Sequence, residues 1–398
     1  MQAVIMAAGK STRTYPLTLT RPKPLLPVAN QTIIEHILLQ LKGLVDEVIL
    51  IVGYKKEMFE QLLGVEFQGI QIRYCEQKKQ LGTGHAVLQT KPMIKDRFIV
   101  LNGDDIYARQ DIEALLNYEY GALVRWEEDP SQYGVFQVDD NNRVINLVEK
   151  PKQFIGNLTN VGCYLFDRSI FPQIEKTEVS ERGEIEITSS ILMFAKQKPF
   201  YTQRLSGFWL SNGYPWELLS TQEFFMKQMT ESDILGVVEQ NVQLKGAVKI
   251  GKNSVIKSGS YIEGPVFIGE NCSVGPNSFL RGCSAIGDYS VIGHNVEIKN
   301  SIIMNHSKIC HLSYVGDSVI GENVNLGAGF ITANLRHDQQ QVRSMVKGKL
   351  VDTGLKKFGT VIADGVKTGI NNSIYPGRKI WPGKQTRVAE IIKHDITD

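Results

Sequence analysis

The chain has 398 residues, 42% hydrophobic and 22% charged, with a formal net charge of +2. That length allows two substantial domains, and so small a net charge excludes generalised attraction to nucleic acid or to a membrane, so any anion binding must come from local constellations. The five cysteines include no CxxC pair, the apolar run at residues 3–8 is too short for a secretory segment, and no run approaches the ~18 apolar residues of a membrane span. A soluble, cytoplasmic protein with reduced thiols is expected.

In the first half, short apolar runs at residues 3–7, 47–52, 71–75, 98–101 and 122–124 predict strands. Amphipathic segments at 32–41, 55–63, 83–89 and 110–116 predict the helices between them. Repeated βα units imply an α/β domain with a mostly parallel, Rossmann-like sheet, whose ligands sit beyond the carboxyl ends of the strands. Helical stretches at 184–196 and 215–229 close this domain, placing the boundary near residue 230.

The first strand runs into Ala8-Gly9-Lys10-Ser11-Thr12-Arg13, followed by Pro16-Leu17-Thr18 and Pro22-Lys23-Pro24. A small-residue loop after a strand lets backbone N–H groups approach phosphate oxygens. Arg13 adds an always-charged fork and Lys23 a point charge, which suits two anionic reactants. Taken alone, a Gly-containing βα turn is more often a simple turn than a binding loop. Asp104 follows a predicted strand, where it is either a turn residue or a cation ligand.

From Ile250 onward an apolar residue recurs at every sixth position: Ile256, Ile262, Ile268, Val274, Leu280, Ile286, Ile292, Ile298, Met304 and Cys310. Small residues follow four positions later at Ser254, Ser260, Cys272, Ser278, Ser284 and Ser290. This spacing fits neither helix nor isolated strand; it predicts a triangular β-solenoid with three hexads per coil. The phase fails after Cys310, restarts at Ile320 and Leu326, and is interrupted again at residues 335–357, which carry six Lys/Arg against two Asp. Regular coils resume at Ile362, Thr368, Ile374 and Ile380.

The ladder is also a ruler. Residues eighteen apart stack on one edge, which sets Arg281 over Lys299. Such a pair is either a phosphate site or two solvated charges. Cys310 on an inward rung would be inert, and His311 beside it would point outward, either as a surface residue or as a base for an amine nucleophile. The basic interruption reads as a solvated loop, a contact for an anionic cosubstrate, or part of a neighbour's site.

The N-terminal string, with Gln77 to Ala86, Asn102-Gly103-Asp104, Gln132-Tyr133-Gly134, Val148-Glu149-Lys150-Pro151 and Asn160-Val161-Gly162, resembles the sugar-1-phosphate nucleotidyltransferases in motif order. The resemblance implies attack of a sugar phosphate oxygen on the α-phosphorus of UTP or dTTP, with catalysis by positioning and charge neutralisation. It gives Arg13 and Lys23 catalytic roles on the phosphates and makes Asp104 a Mg²⁺ ligand. Ala8, Gly9, Gln77, Gly82 and Thr83 would hold the nucleotide; Gly134, Glu149 and Asn160 would hold the sugar. Ser211 stands where the family carries a second metal ligand, so Asn212, the Ser211 hydroxyl or a water would take that role. Ser11 replaces the loop's usual glycine, and His85 reads as packing at a helix start.

The second half resembles the acetyltransferase domain of bifunctional N-acetylglucosamine-1-phosphate uridyltransferase/glucosamine-1-phosphate N-acetyltransferases. Arg281, Glu297-Ile298-Lys299, His311 with Tyr314, and Asn323 to Gly329 leading to Asn334 carry the likeness. The resemblance implies a left-handed parallel β-helix of hexapeptide repeats over residues 231–398, after a nucleotidyltransferase domain at 1–230. It makes His311 the general base toward acetyl-CoA. Arg281, Lys299, Tyr314, Asn325 and Lys357 would hold an amino-sugar phosphate, and Ala328 would line the acyl-CoA channel. Leu335-Arg336-His337-Asp338 replaces the bacterial Tyr-Asp-Gly, and Ile370 replaces a serine near CoA. The expected product is a UDP-N-acetylhexosamine from glucosamine- or galactosamine-1-phosphate, made by a homotrimer. The alternatives are a monofunctional nucleotidyltransferase whose β-helix serves assembly or regulation, and a non-catalytic regulatory subunit.

Overall fold

The strands Gln2–Met6, Glu47–Val52, Ile70–Glu76 and Phe98–Asn102 pair in parallel around the first, which lies between Glu47–Val52 and Phe98–Asn102. Val4, Ile49 and Val100 are fully buried between covering helices, as expected of strands with both faces packed. A computed structural model describes residues 1–397. The helices Ile33–Leu41, Lys56–Leu63, Thr83–Gln89 and Arg109–Leu115 match the amphipathic segments closely.

The sheet is mixed. Leu158–Phe166 joins it antiparallel to Phe98–Asn102 and also pairs with Gly121–Trp126 and Gly134–Val138, the latter carrying Val144–Glu149 at the edge. Gly121–Trp126 matches the apolar run at residues 122–124, but the other three antiparallel strands were not apparent from hydrophobic runs alone. They bring Gly134 opposite Glu149.

In the second half three parallel sheets of eight, six and eight strands stack coil upon coil, forming the left-handed β-helix. Arg281 is in register with Lys299, eighteen residues on. Inward serines are fully buried, and several hydroxyls serve a neighbouring coil: Ser254 Oγ donates to Gly269 O at 2.7 Å and accepts from Cys272 N at 2.8 Å, whereas the Ser260 hydroxyl is buried without a partner. A small polar residue therefore fits the corner and satisfies backbone groups that would otherwise be unpaired.

The ladder slips earlier than the sequence spacing indicated. Ile286 pairs with Ile303 and Ile292 with Ile309, seventeen residues on instead of eighteen. A corner near Asn300 is one residue short, so Ile303 and Ile309 join the apolar interior in place of Met304 and Cys310. Cys310 is partly exposed, which corrects its inward assignment. A second 17-residue coil follows, since Ile303 pairs with Ile320. Leu335 and Lys357 then close the basic interruption as an antiparallel bridge, with a hairpin of Arg343–Val346 and Lys349–Asp352 inside it. Ile320 pairs with Ile362 across this insertion.

The chain divides into two compact units. One holds Met1–Lys10, Pro22–Leu25 and Ile33–Ser211; the other holds Ser11–Arg21, Leu26–Thr32 and the chain from Asn212 onward. The helix Glu217–Met226, read from sequence as closing the first domain, belongs to the second unit. Its fully buried Gln222 donates to the carbonyls of Cys283 and Ser301 at 2.7 and 3.1 Å.

Candidate functional sites

In the α/β unit, Lys23 is almost wholly buried and its ammonium pairs with the Asp104 carboxylate, which is about one-third exposed. Asp104 sits just past Phe98–Asn102, where Gly103 crosses closely over the first strand; a Cβ there would lie 2.7 Å from Met6 O. The neighbouring Asp105 was missed by sequence reasoning, although the Asp-Asp dipeptide was its signal. Asp105 is buried, and its carboxyl is pushed up to about 7 by burial and by the adjacent Asp104. Asn102 Nδ2 donates to it at 3.0 Å, and the Ser211 hydroxyl also bonds it.

Ser211 lies opposite Asp105 on a short antiparallel pair, so its hydroxyl is committed to that carboxylate. Asn212 is fully buried, and its Oδ1 accepts a hydrogen bond from Thr221 at 2.8 Å. That bond engages the amide oxygen that the expected metal role would use. No cluster of three or more His, Cys, Asp or Glu suited to a metal occurs among the described residues. The donors that remain, Asp104 with the phosphate oxygens of a substrate, suit Mg²⁺, which takes one or two carboxylates plus phosphates.

A cleft of about 340 Å³ is lined by Lys10, Gly53, Tyr54, Gln77 and Gln80 among others. Its floor is built from close approaches: a Cβ at Gly53 would meet Gln77 O at 3.1 Å and Ala8 Cβ at 3.2 Å. Gln77 is buried and its Nε2 donates to Gly82 O at 3.2 Å and meets His85 Nδ1 at 3.0 Å. Gln80 Nε2 donates to Ala8 O at 2.6 Å, while Gly9 is exposed. Thr83 opens the helix Thr83–Gln89, and its hydroxyl accepts from Ile187 N at 3.1 Å. Gly82, Gln77 and Ala8 are thus gathered, with His85 orienting Gln77 as well as packing.

Gly134, Glu149 and Asn160 also come together. A Cβ at Gly134 would lie 2.9 Å from Glu149 Oε2 and 3.4 Å from Asn160 Cβ. Asn160 Nδ2 donates to Tyr164 Oη at 2.7 Å, and its Oδ1 accepts from Gly162 N at 3.0 Å. Burial raises the Glu149 carboxyl despite Arg182 at 3.5 Å. Gly162 is required here: its φ is +79°, and a Cβ would strike Asn102 Nδ2 at 2.1 Å.

Arg13 lies in the second unit, exposed, with its guanidinium carbon 5.4 Å from the Tyr214 ring centre. Farther along, each stacked cation has a carboxylate of its own. Arg281 pairs with Glu297 at 2.7 Å and lies 5.3 Å from the Phe279 ring centre. Lys299 pairs with the buried Asp317 at 2.9 Å. Their mutual repulsion is therefore offset within the chain, and no bound anion is needed to explain the stack.

Asp317 is the hub that sequence reasoning missed. It also accepts from Asn300 Nδ2 at 2.9 Å and from Asn334 Nδ2, and Asn334 in turn donates to Tyr314 Oη at 3.1 Å. Gly316, in register with Lys299, makes room for the Tyr314 hydroxyl, since a Cβ there would lie 2.4 Å from Tyr314 Oη. His311 is exposed at the end of Lys308–His311, in register with His294. It is exposed despite the ladder slip that makes Ile309, two residues back, the buried rung. Asn325 is exposed one residue before buried Leu326, and Lys357 is exposed at the base of the insertion. Ala328 is half-buried at a corner, its carbonyl accepting from Asn371 N at 2.7 Å.

The nucleotidyl transferase family matches residues 2–228, and the GMPPB C-terminal domain matches residues 262–391. The bifunctional protein GlmU of Methanococcus maripaludis strain C7 is 46% identical over the whole chain and 95% of its own length. A bifunctional sugar-1-phosphate nucleotidylyltransferase/acetyltransferase of Sulfurisphaera tokodaii is 38% identical, covering the whole chain and 98% of that relative. A Bacillus anthracis crystal structure assigned as a glucose-1-phosphate thymidylyltransferase superposes on 56% of the chain and 94% of its own, at 28% identity and a TM-score of 0.52. With both halves of the chain matched, the chain belongs to the family of bifunctional sugar-1-phosphate nucleotidylyltransferase/acetyltransferases.

Proposed function

We infer that the chain acetylates glucosamine-1-phosphate, or its galacto epimer, and transfers a uridylyl group to the product, giving a UDP-N-acetylhexosamine and pyrophosphate. The observation that carries this reading is that one chain holds both the Lys23–Asp104 pair and the Arg281/Lys299 register stack with its Tyr314–Asn334–Asp317 network. Residues 1–230 are assigned the nucleotidyl transfer and residues 231–398 the acetyl transfer.

In acetyl transfer, Arg281 and Lys299 attract the sugar phosphate, with Tyr314, Asn325 and Lys357 as further contacts. His311 accepts a proton as the amine nitrogen attacks the thioester carbonyl of acetyl-CoA, and the CoA sulfur leaves. Ala328 lines the acyl path. In nucleotidyl transfer, an already ionised sugar phosphate oxygen attacks the α-phosphorus as the bond to the β-phosphate breaks, so no general base is required. Lys23 holds the reacting phosphates, Arg13 neutralises the triphosphate and leaving group, and Gln77, Ala8, Gly9, Gly82 and Thr83 hold the base. Gly134, Glu149 and Asn160 hold the sugar. Asp104 would hold Mg²⁺, which screens charge between the two anions. By family likeness the working form is a homotrimer.

The test supplies purified protein with glucosamine- or galactosamine-1-phosphate and acetyl-CoA, then UTP or dTTP. Formation of CoA and then pyrophosphate is expected, with Arg13→Ala losing the second step alone. Absence of CoA release with every amino sugar would leave the monofunctional alternative. Unaltered pyrophosphate release in Arg13→Ala would remove its assignment.

A further inference from the structure

The loop Ser11–Arg21, which carries Arg13, is part of the same unit as the β-helix and is fastened to it at two points. At its far end the Arg21 guanidinium pairs with Glu322 at 2.6 Å and Asp364 at 2.7 Å, with only 13% of the Arg21 side chain exposed. Midway along it, two residues after Arg13, Tyr15 offers its carbonyl to Lys379 Nζ at 3.2 Å. Lys379 lies on the coil strand Arg378–Ile380 and is 1% exposed. The same Nζ donates to Met345 O at 2.7 Å, within the hairpin of the basic insertion.

A fully buried lysine is expensive unless its amine is used. Here it serves two backbone carbonyls from segments hundreds of residues apart in sequence. It also lies 5.8 Å from the Trp216 ring centre. Trp216 stacks on Tyr214 with centroids 4.7 Å apart and planes 5° from parallel, and Tyr214 lies under the Arg13 guanidinium at 5.4 Å. On its other side Trp216 meets the buried Phe358, the residue after Lys357, edge-on at 6.0 Å. Burial is the main force holding the Lys379 ammonium down, to about 8, with Asp395 opposing and Arg378 adding to the shift. Even the neutral amine keeps two N–H groups, enough for both carbonyls.

We propose that Lys379 is a positioning residue for nucleotidyl transfer: it fixes the Arg13 loop on the β-helix, and the Trp216–Tyr214 stack carries that position to the Arg13 guanidinium. The β-helix is then a structural part of the nucleotidyltransferase machinery as well as the scaffold for acetyl transfer. This rests on the reading of Arg13 as a catalytic residue.

The experiment compares Lys379→Met, Lys379→Arg, Tyr214→Leu, Tyr214→Phe and Arg13→Ala in the full chain, measuring pyrophosphate release and CoA release separately. Misplacing a charge-neutralising group by about 1 Å costs roughly 10²-fold, so Lys379→Met is expected to lower kcat for pyrophosphate release by about 10- to 100-fold. KM should change little, because the loss falls on the transition state. CoA release should stay unchanged, and Lys379→Arg, which keeps donors for the carbonyls, should recover most of the rate. Tyr214→Leu should show the same kcat loss and Tyr214→Phe should not, which keeps the test decisive if Lys379→Met does not fold. Parallel loss of both activities, or full nucleotidyl transfer in Lys379→Met or Tyr214→Leu while Arg13→Ala is inactive, would overturn the proposal. Full activity in Arg13→Ala would instead overturn the reading on which it rests.

Discussion

The two halves of this chain assemble chemistry by opposite means. In the α/β unit the candidate residues come from distant parts of the chain: Lys23 meets Asp104, and Gly134, Glu149 and Asn160 meet only because three strands are paired antiparallel. Along the β-helix, proximity is set by counting. Arg281 lies over Lys299 because a coil takes eighteen residues, and one short corner shifts everything downstream. A long-range sheet tolerates changes in connecting loops but hides its pairings from the sequence. A solenoid displays its pairings in the sequence, but a single missing residue redirects them.

The largest expected effects test whether the halves are chemically separate. General-base catalysis is worth roughly 10²–10⁴-fold, so His311→Ala should cut CoA release by about that factor and leave pyrophosphate release intact. Asp104→Asn should give the mirror result, with nucleotidyl transfer reduced by about 10²-fold or more and CoA release unaffected. If either variant loses both activities equally while its thermal transition is unchanged, the division of labour is wrong.

A second prediction sharpens the ruler. Ile309 is fully buried in the β-helix interior and Cys310 is partly exposed. Ile309→Ala should therefore destabilise by about 2–5 kcal/mol, as large-to-small core changes do, and Cys310→Ala by less than about 1 kcal/mol. Denaturant unfolding of the two variants measures the difference. The reverse order would restore the uncorrected six-residue phase and move Cys310 back to the interior.

That slip shows where the sequence is legible. From Ile250 to Ile298 each aliphatic rung is where the hexad pattern puts it, because each coil repeats the same corners. After Ile298 the pattern still offers apolar residues at the six-residue positions, Met304 and Cys310, while Ile303 and Ile309 stand beside them. Periodicity alone cannot choose between adjacent apolar residues; the packed coil selects the branched aliphatics. In the α/β unit the central strands were legible from hydrophobic runs, whereas Gly134–Val138 and Val144–Glu149, toward the sheet's edge, mix buried with partly exposed positions and offer no continuous apolar run. The site hubs Asp105, Asp317 and Lys379 were not legible, because a buried charged residue is identified by its partners, and those lie on other strands and coils.

The Lys379 amine supplies a smaller and separate test through pH. Burial lowers its folded-state value to about 8, against roughly 10.4 in an unfolded chain. Between these values the unfolded chain binds more protons than the folded one, so this group makes stability rise as pH climbs from about 8 to about 10.4. Below pH 8 both states are protonated and the folded chain bears the full burial cost. Lys379→Met should flatten this rise, as read from thermal transitions between pH 7.5 and 10. An equal rise in both proteins would mean that the amine is not held in the buried setting that joins Tyr15 to Met345.

The smallest expected effect lies at Ser11, the loop position where this chain departs from the usual glycine. Ser11 sits at φ 50° and ψ 53°, in the left-handed region, yet its carbonyl is well used: it accepts from Thr14 N at 3.0 Å and from Thr18 Oγ1 at 2.9 Å. Two opposing effects meet there. Glycine would relieve a left-handed penalty of about 1–2 kcal/mol for a side-chain-bearing residue, but it would also free the unfolded chain at a cost of about 0.5–1 kcal/mol. Ser11→Gly should therefore alter stability by less than about 1 kcal/mol and leave nucleotidyl transfer within about twofold, since the backbone bonds that shape the loop do not need the hydroxyl. If Ser11→Gly instead lost nucleotidyl transfer while keeping its thermal transition, the hydroxyl itself would be a substrate contact. The N-terminal half would then also depend on one residue's identity at a turn, as the β-helix depends on one residue's count at a corner.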